Sequence, residues 1–245
     1  MLYKVMTTIV PKETMSRLIK DVKKIIKQPL TDNGIYYIHD DTDMMKGYAL
    51  IIGPSDTPYF GGNYFFEFTY PADYPSSPPQ VKYWTNGNNI RFNPNLYKCG
   101  KVCVSMLNTW RGDQWSSCQT ISTTLLTLCT LLCKTPLLNE PGVSSTHKDI
   151  ANYTTIIEYS NINVAVCDII LKQKDVYIHF FENFRPFIKE NFLQNYDKLE
   201  AFVKTQIEND FKESKLIQTD MYKMNITVDY NSLLEKLKKS KLHIT

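Results

Sequence analysis

The 245-residue sequence has no run of about 18 consecutive apolar residues, so no segment is built to cross a bilayer as a helix. Its opening, MLYKVMTTIVPKETM, is weakly apolar but has no hydrophobic core followed by a small-residue cleavage site, so no secretory leader is expected. Charge of one sign is scarce as well. With 28 Lys and Arg against 25 Asp and Glu the net charge is +3, which gives no support for the concentrated basic face of a nucleic-acid binder. There are six cysteines, at 99, 103, 118, 129, 133 and 167, too thinly spread for the disulfide framework of a small secreted domain. They fit free thiols in a reducing compartment, and the expected location is intracellular, in the cytoplasm with the nucleus as an alternative. No internal repeat is present. What remains is ordinary globular material, 43% hydrophobic and 22% charged, long enough for one large domain or a core with an extension.

The first element is an amphipathic helix expected from Thr14 to Gln28. Met15, Leu18, Ile19, Val22, Ile25 and Ile26 recur at helical spacing, Arg17, Lys20, Lys23, Lys24 and Lys27 fill the other face, and Pro29 ends it. Short strand-like runs follow at Ile35–Ile38, Gly47–Ile52, Asn63–Tyr70 and Val81–Trp84, separated by turn formers such as GPSDTPYFGG and PADYPSSPP. Sequential strands with short turns predict an antiparallel meander backed by the helix. Thr85–Ser117 is irregular, rich in Asn, Gly and Pro, yet carries Trp110 and Trp115; long irregular stretches inside compact domains tend to be functional. Thr120–Cys133 predicts a buried helix, Lys148–Lys172 and Asn183–Lys212 two more, and Leu233, Leu234 and Leu237 a short final one.

Cys103 lies in the irregular stretch, within NPNLYKCGKVCVSML. A thiol is both a nucleophile and a good acyl leaving group, which suits it to relay an acyl chain between acceptors. Any single cysteine is more often a small buried hydrophobe, and that reading is given to Cys118, Cys129, Cys133 and Cys167, with Cys129 and Cys133 on one face of the apolar helix. Two other chemistries are open to these residues. Cys99-x3-Cys103 and Cys129-x3-Cys133 could pair into a four-thiolate metal site, although zinc ribbons favour two-residue gaps at turns. A cysteine protease would need a base from His39, His147, His179 or His243, none of which sits in a protease-like context.

The ordered motifs go further. Tyr74-Pro75-Ser76-Ser77-Pro78-Pro79 precedes Asn93-Pro94-Asn95, and Cys103 follows Asn95 by eight residues. Gly53-Pro54 to Tyr59, Gly61, Gly62, Gly100, Trp110, Thr120-Ile121-Ser122 and the Leu-rich helix after it keep the same order. In these features the sequence resembles the ubiquitin-conjugating enzymes from about Thr14 to Lys172. Within that family it is most similar to the Z-type class, with O-type and BIR-repeat-fused enzymes as cousins. The resemblance rests on Thr85-Asn86-Gly87-Asn88-Asn89 leading into Arg91-Phe92, on Gly100-Lys101-Val102-Cys103, the Trp110–Trp115 insertion and Asn139-Glu140-Pro141-Gly142. In the tail it rests on Val164–Asp168 and Asp229–Leu234.

The resemblance implies roles. Cys103 matches the thioester cysteine. Asn95 matches an Asn that stabilises the oxyanion formed on lysine attack or orders the nearby loop; an amide aimed at developing charge is the basis of the first role. Asn93 and Pro94 stand in the active-site loop, Asn93 where most of the family has His, and are read as loop-building. Glu140 matches the acid that orients the incoming lysine, with Asn139 as the alternative occupant. Arg17 and Lys20 match the docking face for the activating enzyme, whose other reading is a solvated helix face. Ser76 replaces the bulky apolar residue that grips RING ligases, which implies few such ligases or a grip through the Trp110–Trp115 insertion.

The resemblance thus implies an α+β ubiquitin-conjugating fold: a four-stranded antiparallel meander with an N-terminal helix, C-terminal helices and a helical C-terminal extension. The expected division is an N-terminal arm at 1–13, the core at 14–172 and the extension at 173–245. Implied partners are ubiquitin or a ubiquitin-like modifier, the activating enzyme, substrate proteins and, in some reactions, a ligase, with neither nucleic acid nor membrane, and the chain a monomer. No cofactor or metal is expected, since the activating enzyme uses the ATP. The rivals are an inactive binding module that keeps the same fold and a metal-stabilised scaffold.

Overall fold

The computed structural model describes residues 10–87, 90–173 and 179–244. Most of the expected N-terminal arm, Asn88 and Asn89 of the quoted motif, and residues 174–178 and 245 of the expected extension lie outside the described residues. Helix α1 is Lys12–Lys27, so it begins inside the stretch expected to be an arm. It buries Thr14, Leu18, Asp21 and Ile25, while Ile19 and Ile26 face solvent, a narrower stripe than the sequence suggests. The positions that turn fully inward, 14, 18, 21 and 25, are spaced by four, three and four, about one in each turn.

The meander is present as read. Strands β1 (Ile35–His39), β2 (Lys46–Ile52), β3 (Asn63–Thr69) and β4 (Gln80–Tyr83) form one antiparallel sheet in sequence order. Leu50 pairs with both Tyr36 and Phe65, and Tyr48 with Glu67, which fixes Tyr36, Tyr48, Leu50 and Phe65 on one face. Ala49, Ile51, Tyr64, Phe66 and Phe68 occupy the other. There Tyr64 meets Tyr59 and Phe92 edge-on, at 5.5 and 5.8 Å between ring centres. Near-continuous burial along β2 and β3 follows from cover on both faces.

Helix α2 (Ile121–Leu131) starts from a capping box in which Thr120 and Thr123 satisfy each other's backbone N–H groups. It ends before Cys133, so Cys129 and Cys133 do not share a helix face. Both are half-buried, and Cys118 is exposed; only Cys167 keeps the buried reading. Helix α3 (Ile150–Ser160) does not run on to Lys172 as an α-helix but opens into a π-helical stretch, Asn161–Asp168. The wider turn gives Asn161 and Ala165 polar duties across the fold. Asn161 accepts from the Tyr64 hydroxyl at 2.6 Å and donates to the Phe60 carbonyl, and the Ala165 carbonyl accepts from Asn63 at 2.8 Å.

The extension is helical only in part. Helices α4 (Arg185–Asn209) and α5 (Tyr230–Ile244) flank a two-stranded hairpin, β5 (Lys215–Gln218) and β6 (Asn225–Val228). Ahead of α4, Phe180, Phe181 and Phe184 cover the sheet face of Tyr48 and Phe65. Phe181 stacks on Phe65 at 4.2 Å, and Phe187 stacks on Tyr36 at 4.2 Å. Helices α4 and α5 close the layer through Phe192, Leu199, Val203, Leu233 and Leu237, all buried. The extension and the meander therefore share one apolar core.

Candidate functional site

Past β4 the chain folds without regular structure, and side-chain amides replace a ladder. Asn93 is fully buried. Its Nδ2 donates to the Leu131 carbonyl (2.7 Å) and the Tyr59 hydroxyl (3.2 Å), and its Oδ1 accepts from the Asn95 N–H (2.9 Å). Tyr59 in turn donates to the Phe92 carbonyl at 2.6 Å. A buried amide with these partners ties the end of α2 to the irregular segment.

Asn95 and Cys103 are paired in both directions. The Cys103 N–H donates to the Asn95 carbonyl (2.9 Å), and Asn95 Nδ2 donates to the Cys103 carbonyl (2.6 Å). The Asn95 side chain thus closes the loop back onto the Cys103 backbone. Gly100, at φ +90°, makes the return between them; a Cβ there would lie 2.8 Å from the Tyr83 carbonyl oxygen, and the Tyr83 N–H donates to the Gly100 carbonyl. Pro94 is buried, and its carbonyl and that of Asn93 accept from Arg91.

Cys103 itself is 3% exposed. Its Sγ donates to the Thr109 carbonyl at 2.9 Å, and Thr109 is fixed by its hydroxyl, which accepts from the Val104 N–H and donates to the Val104 carbonyl. The turn through Ser105–Leu107 and left-handed Asn108 thus lays a peptide over the sulfur. Beyond it Trp110 is 46% exposed, whereas Trp115 turns inward and donates from its indole to the Pro75 carbonyl at 2.7 Å. Ser76, the next residue, is exposed.

The two candidates for the acid are separated by the fold. Asn139 points its amide at Asn93 Oδ1 (3.4 Å) and the Leu131 carbonyl (3.3 Å), so it belongs to the loop scaffold. Glu140 is half-buried and its Oε2 accepts from the Tyr222 hydroxyl of the extension. Arg17 and Lys20 lie on α1, apart from this cluster, and they differ. Arg17 donates to Asp21 Oδ2 (2.8 Å) and to the carbonyls of Ser117 (2.7 Å) and Gln119 (2.6 Å). Asp21, 4% exposed, also accepts from Tyr74 at 2.6 Å. Arg17, expected on the docking face for the activating enzyme, has its donors taken up by buried and backbone acceptors. Lys20 is exposed.

Arg91, Thr109 and Tyr222, which contact the candidate residues, carried no signal in the sequence. Arg91 stood inside a quoted motif, but nothing in its neighbours signals that it would be buried with its guanidinium on Asn93 and Pro94. Among the described residues no three His, Cys, Asp or Glu side chains converge as a metal site would need. Burial pushes the Cys167 thiol up to about 12, and raises Cys129 and Cys133 as well, which lowers the thiolate fraction of all three at neutral pH.

The family model described as ubiquitin-conjugating enzyme matches residues 17–160. Ubiquitin-conjugating enzyme E2 Z of Homo sapiens is 38% identical over 228 residues, covering 92% of this chain and 62% of that protein. The protein of the same name in Xenopus tropicalis is 38% identical over 224 residues, covering 90% of this chain and 69% of that one. The dual E2 ubiquitin-conjugating enzyme/E3 ubiquitin-protein ligase BIRC6 of Homo sapiens is 45% identical over 124 residues, which is 46% of this chain and 2% of its own length. The chain therefore spans somewhat under two thirds of the human E2 Z relative.

Proposed function

The chain belongs to the ubiquitin-conjugating enzyme family, and from that premise we propose that it accepts ubiquitin or a ubiquitin-like modifier on Cys103 and passes it to a substrate lysine. The observation that carries the assignment to Cys103 is its two-way pairing with Asn95, which among the described residues no other cysteine has. In the first step the Cys103 sulfur attacks the thioester carbonyl of the modifier on its activating enzyme. A new C–S bond forms, the old one breaks, the activating enzyme's thiolate leaves, and the Cys103 proton passes to solvent. In the second, a neutral lysine amine attacks the same carbonyl, the C–N bond forms as the C–S bond breaks, Cys103 leaves as thiolate, and the nitrogen gives up one proton to solvent. ATP is used upstream by the activating enzyme, and no cofactor is assigned to this chain.

The peptide over Cys103 has to move in both steps, because a sulfur bonded to the Thr109 carbonyl has no open path to a carbonyl carbon. The turn can do so by breaking a small set of hydrogen bonds around Thr109 while the Asn93 scaffold stays in place. Lys20 and the other exposed lysines of α1 are the cations left to meet the activating enzyme. The protein acts with or without a ligase, as a monomer, inside the cell.

The buried state of Cys103 favours one other reading, a conjugating-enzyme-like binding module without activity. Incubation with activating enzyme, ATP and ubiquitin, followed by a non-reducing gel, separates the two. The expected result is an adduct that reductant removes and that Cys103→Ala abolishes. No adduct with any activating enzyme and modifier tried, or one that survives Cys103→Ala, overturns the proposal.

A further inference from the structure

The hairpin of the extension ends in a turn, Met221–Lys223, that reaches the acid beside the candidate active site. Tyr222 donates through its hydroxyl to Glu140 Oε2 at 2.5 Å. Among the described residues Oε1 of the same carboxylate receives no hydrogen bond. The Tyr222 ring is held on two sides: the Arg91 guanidinium lies 4.7 Å from its centre, and the Tyr153 ring lies 6.1 Å away. Arg91 also sits 3.4 Å over Tyr97 and donates to the carbonyls of Asn93 and Pro94. One guanidinium therefore braces both the active-site tripeptide and Tyr222.

The backbone of the turn is unusual. Tyr222 and Lys223 both have positive φ, +60° and +49°, a region that non-glycine residues seldom enter. The conformation is held from outside. Asp149, itself buried, accepts from the Met221 N–H at 2.8 Å, and Thr219 donates to the Met221 carbonyl at 2.7 Å. Met224 is 2% exposed, and its sulfur accepts from the Arg91 N–H. Two left-handed residues in a turn pinned on both sides are a costly way to place one aromatic, and such strain persists where position matters. Burial and the Glu140 carboxylate both raise the phenol's pKa, so Tyr222 remains a neutral donor.

We propose that Tyr222 is a positioning residue for lysine transfer, anchoring one oxygen of Glu140 so that the other receives the incoming ammonium. The step rests on the function proposed above. The ammonium hydrogen-bonds to Glu140 and loses a proton to solvent. The neutral nitrogen then forms its bond to the thioester carbonyl carbon as the C–S bond to Cys103 breaks; the nitrogen gives up its second proton to solvent, and the thiolate takes one from solvent. The C-terminal extension would then be part of the second half-reaction and dispensable to the first.

The test is a single-turnover chase of the preformed Cys103 thioester with free lysine and, in parallel, with hydroxylamine, which is already neutral at neutral pH. Tyr222→Phe keeps the ring and its contact with Arg91. It is expected to charge at the wild-type rate, to slow roughly tenfold toward lysine, the size expected for one hydrogen bond to a charged group, and to be unchanged toward hydroxylamine. Glu140→Gln, which removes the partner from the other side, should slow lysine at least as much, and the double variant should be no slower than Glu140→Gln. Tyr222→Phe discharging to lysine at the wild-type rate, or slowing with both nucleophiles alike, overturns the proposal. Absence of any thioester on the unaltered protein is a different result, which removes the proposed function and this inference with it.

Discussion

Residues 91–109 and residues 179–244 hold their shape by different means. The first stretch has isolated bridges and one 3-10 turn, and its conformation is set by side chains bonded to backbone: Asn93 to Leu131, Asn95 to Cys103, Arg91 to Asn93 and Pro94, Thr109 to Val104. The second is mostly helix, and what fixes it is apolar area, with Phe181, Phe184, Phe192, Leu199, Val203, Leu233 and Leu237 all buried. Hydrogen-bonded scaffolds specify geometry, because each bond is directional and an unmade one in a buried place is costly. Apolar contact supplies more free energy and tolerates small shifts in return. The division suits a site in which a few atoms must be placed closely and a layer that mainly covers a sheet, the Met221–Lys223 turn being the part of that layer held by hydrogen bonds.

The largest effect on stability should come from the apolar side. Phe181→Ala removes a ring stacked on Phe65 and leaves a cavity between the extension and the sheet, at a cost of about 3–5 kcal/mol. Chemical denaturation should show that loss. At a temperature where the variant is still folded, thioester formation on Cys103 should proceed at the unaltered rate. A variant that is stable and yet fails to charge would show that the extension shapes the site directly and would break the distinction.

Asn93→Ala tests the other mode. It leaves the Asn95 N–H without its acceptor and takes one donor from the Leu131 carbonyl, which keeps the Asn139 amide and the Cys133 N–H, at a cost of about 1–3 kcal/mol. Here the stability loss should be smaller than for Phe181→Ala while the effect on the site is larger, since Asn95 and so Cys103 lose their reference. Slower charging and slower lysine discharge together, measured by single turnover on folded protein, are the expected outcome. Full activity in a destabilised Asn93→Ala protein would show that the scaffold is not what positions Cys103.

The same two modes explain what could be read before the structure. The meander was legible to within a residue or two at each strand end, because its strands are bounded by Gly and Pro and buried on a regular pattern. The hairpin was not: Lys215–Gln218 and Asn225–Val228 are four residues each and largely exposed, and the turn between them uses Tyr222 and Lys223 where Gly or Asn would have announced a left-handed conformation. Cys103, Asn93 and Asn95 were legible through ordered motifs rather than periodicity. Tyr222 was not, since its partner Glu140 is distant in sequence and no local pattern links them. The π-helical opening after Ser160 is also silent in sequence, because its cause is the polar demand of Asn63 and Tyr64 on another element.

Helix α1 carries both modes on one short element and allows the smallest and sharpest test. In the sequence Arg17 and Lys20 are equivalent cations on a polar face. In the fold Arg17 ties the helix to the Ser117–Gln119 backbone and neutralises buried Asp21, whereas Lys20 stands in solvent. Arg17→Ala should therefore cost about 2 kcal/mol, below the usual range for breaking a buried pair because the guanidinium is partly exposed. Lys20→Ala should stay within about 0.5 kcal/mol of the unaltered protein. If Lys20 meets the activating enzyme, the order reverses in charging assays run on folded protein at low salt: Lys20→Ala slows thioester formation, and added salt shrinks the difference by screening the contact. Equal charging by Lys20→Ala and the unaltered protein at low salt would return this face to ordinary solvated surface. The structural role of Arg17, which rests on its buried partners, would stand unchanged.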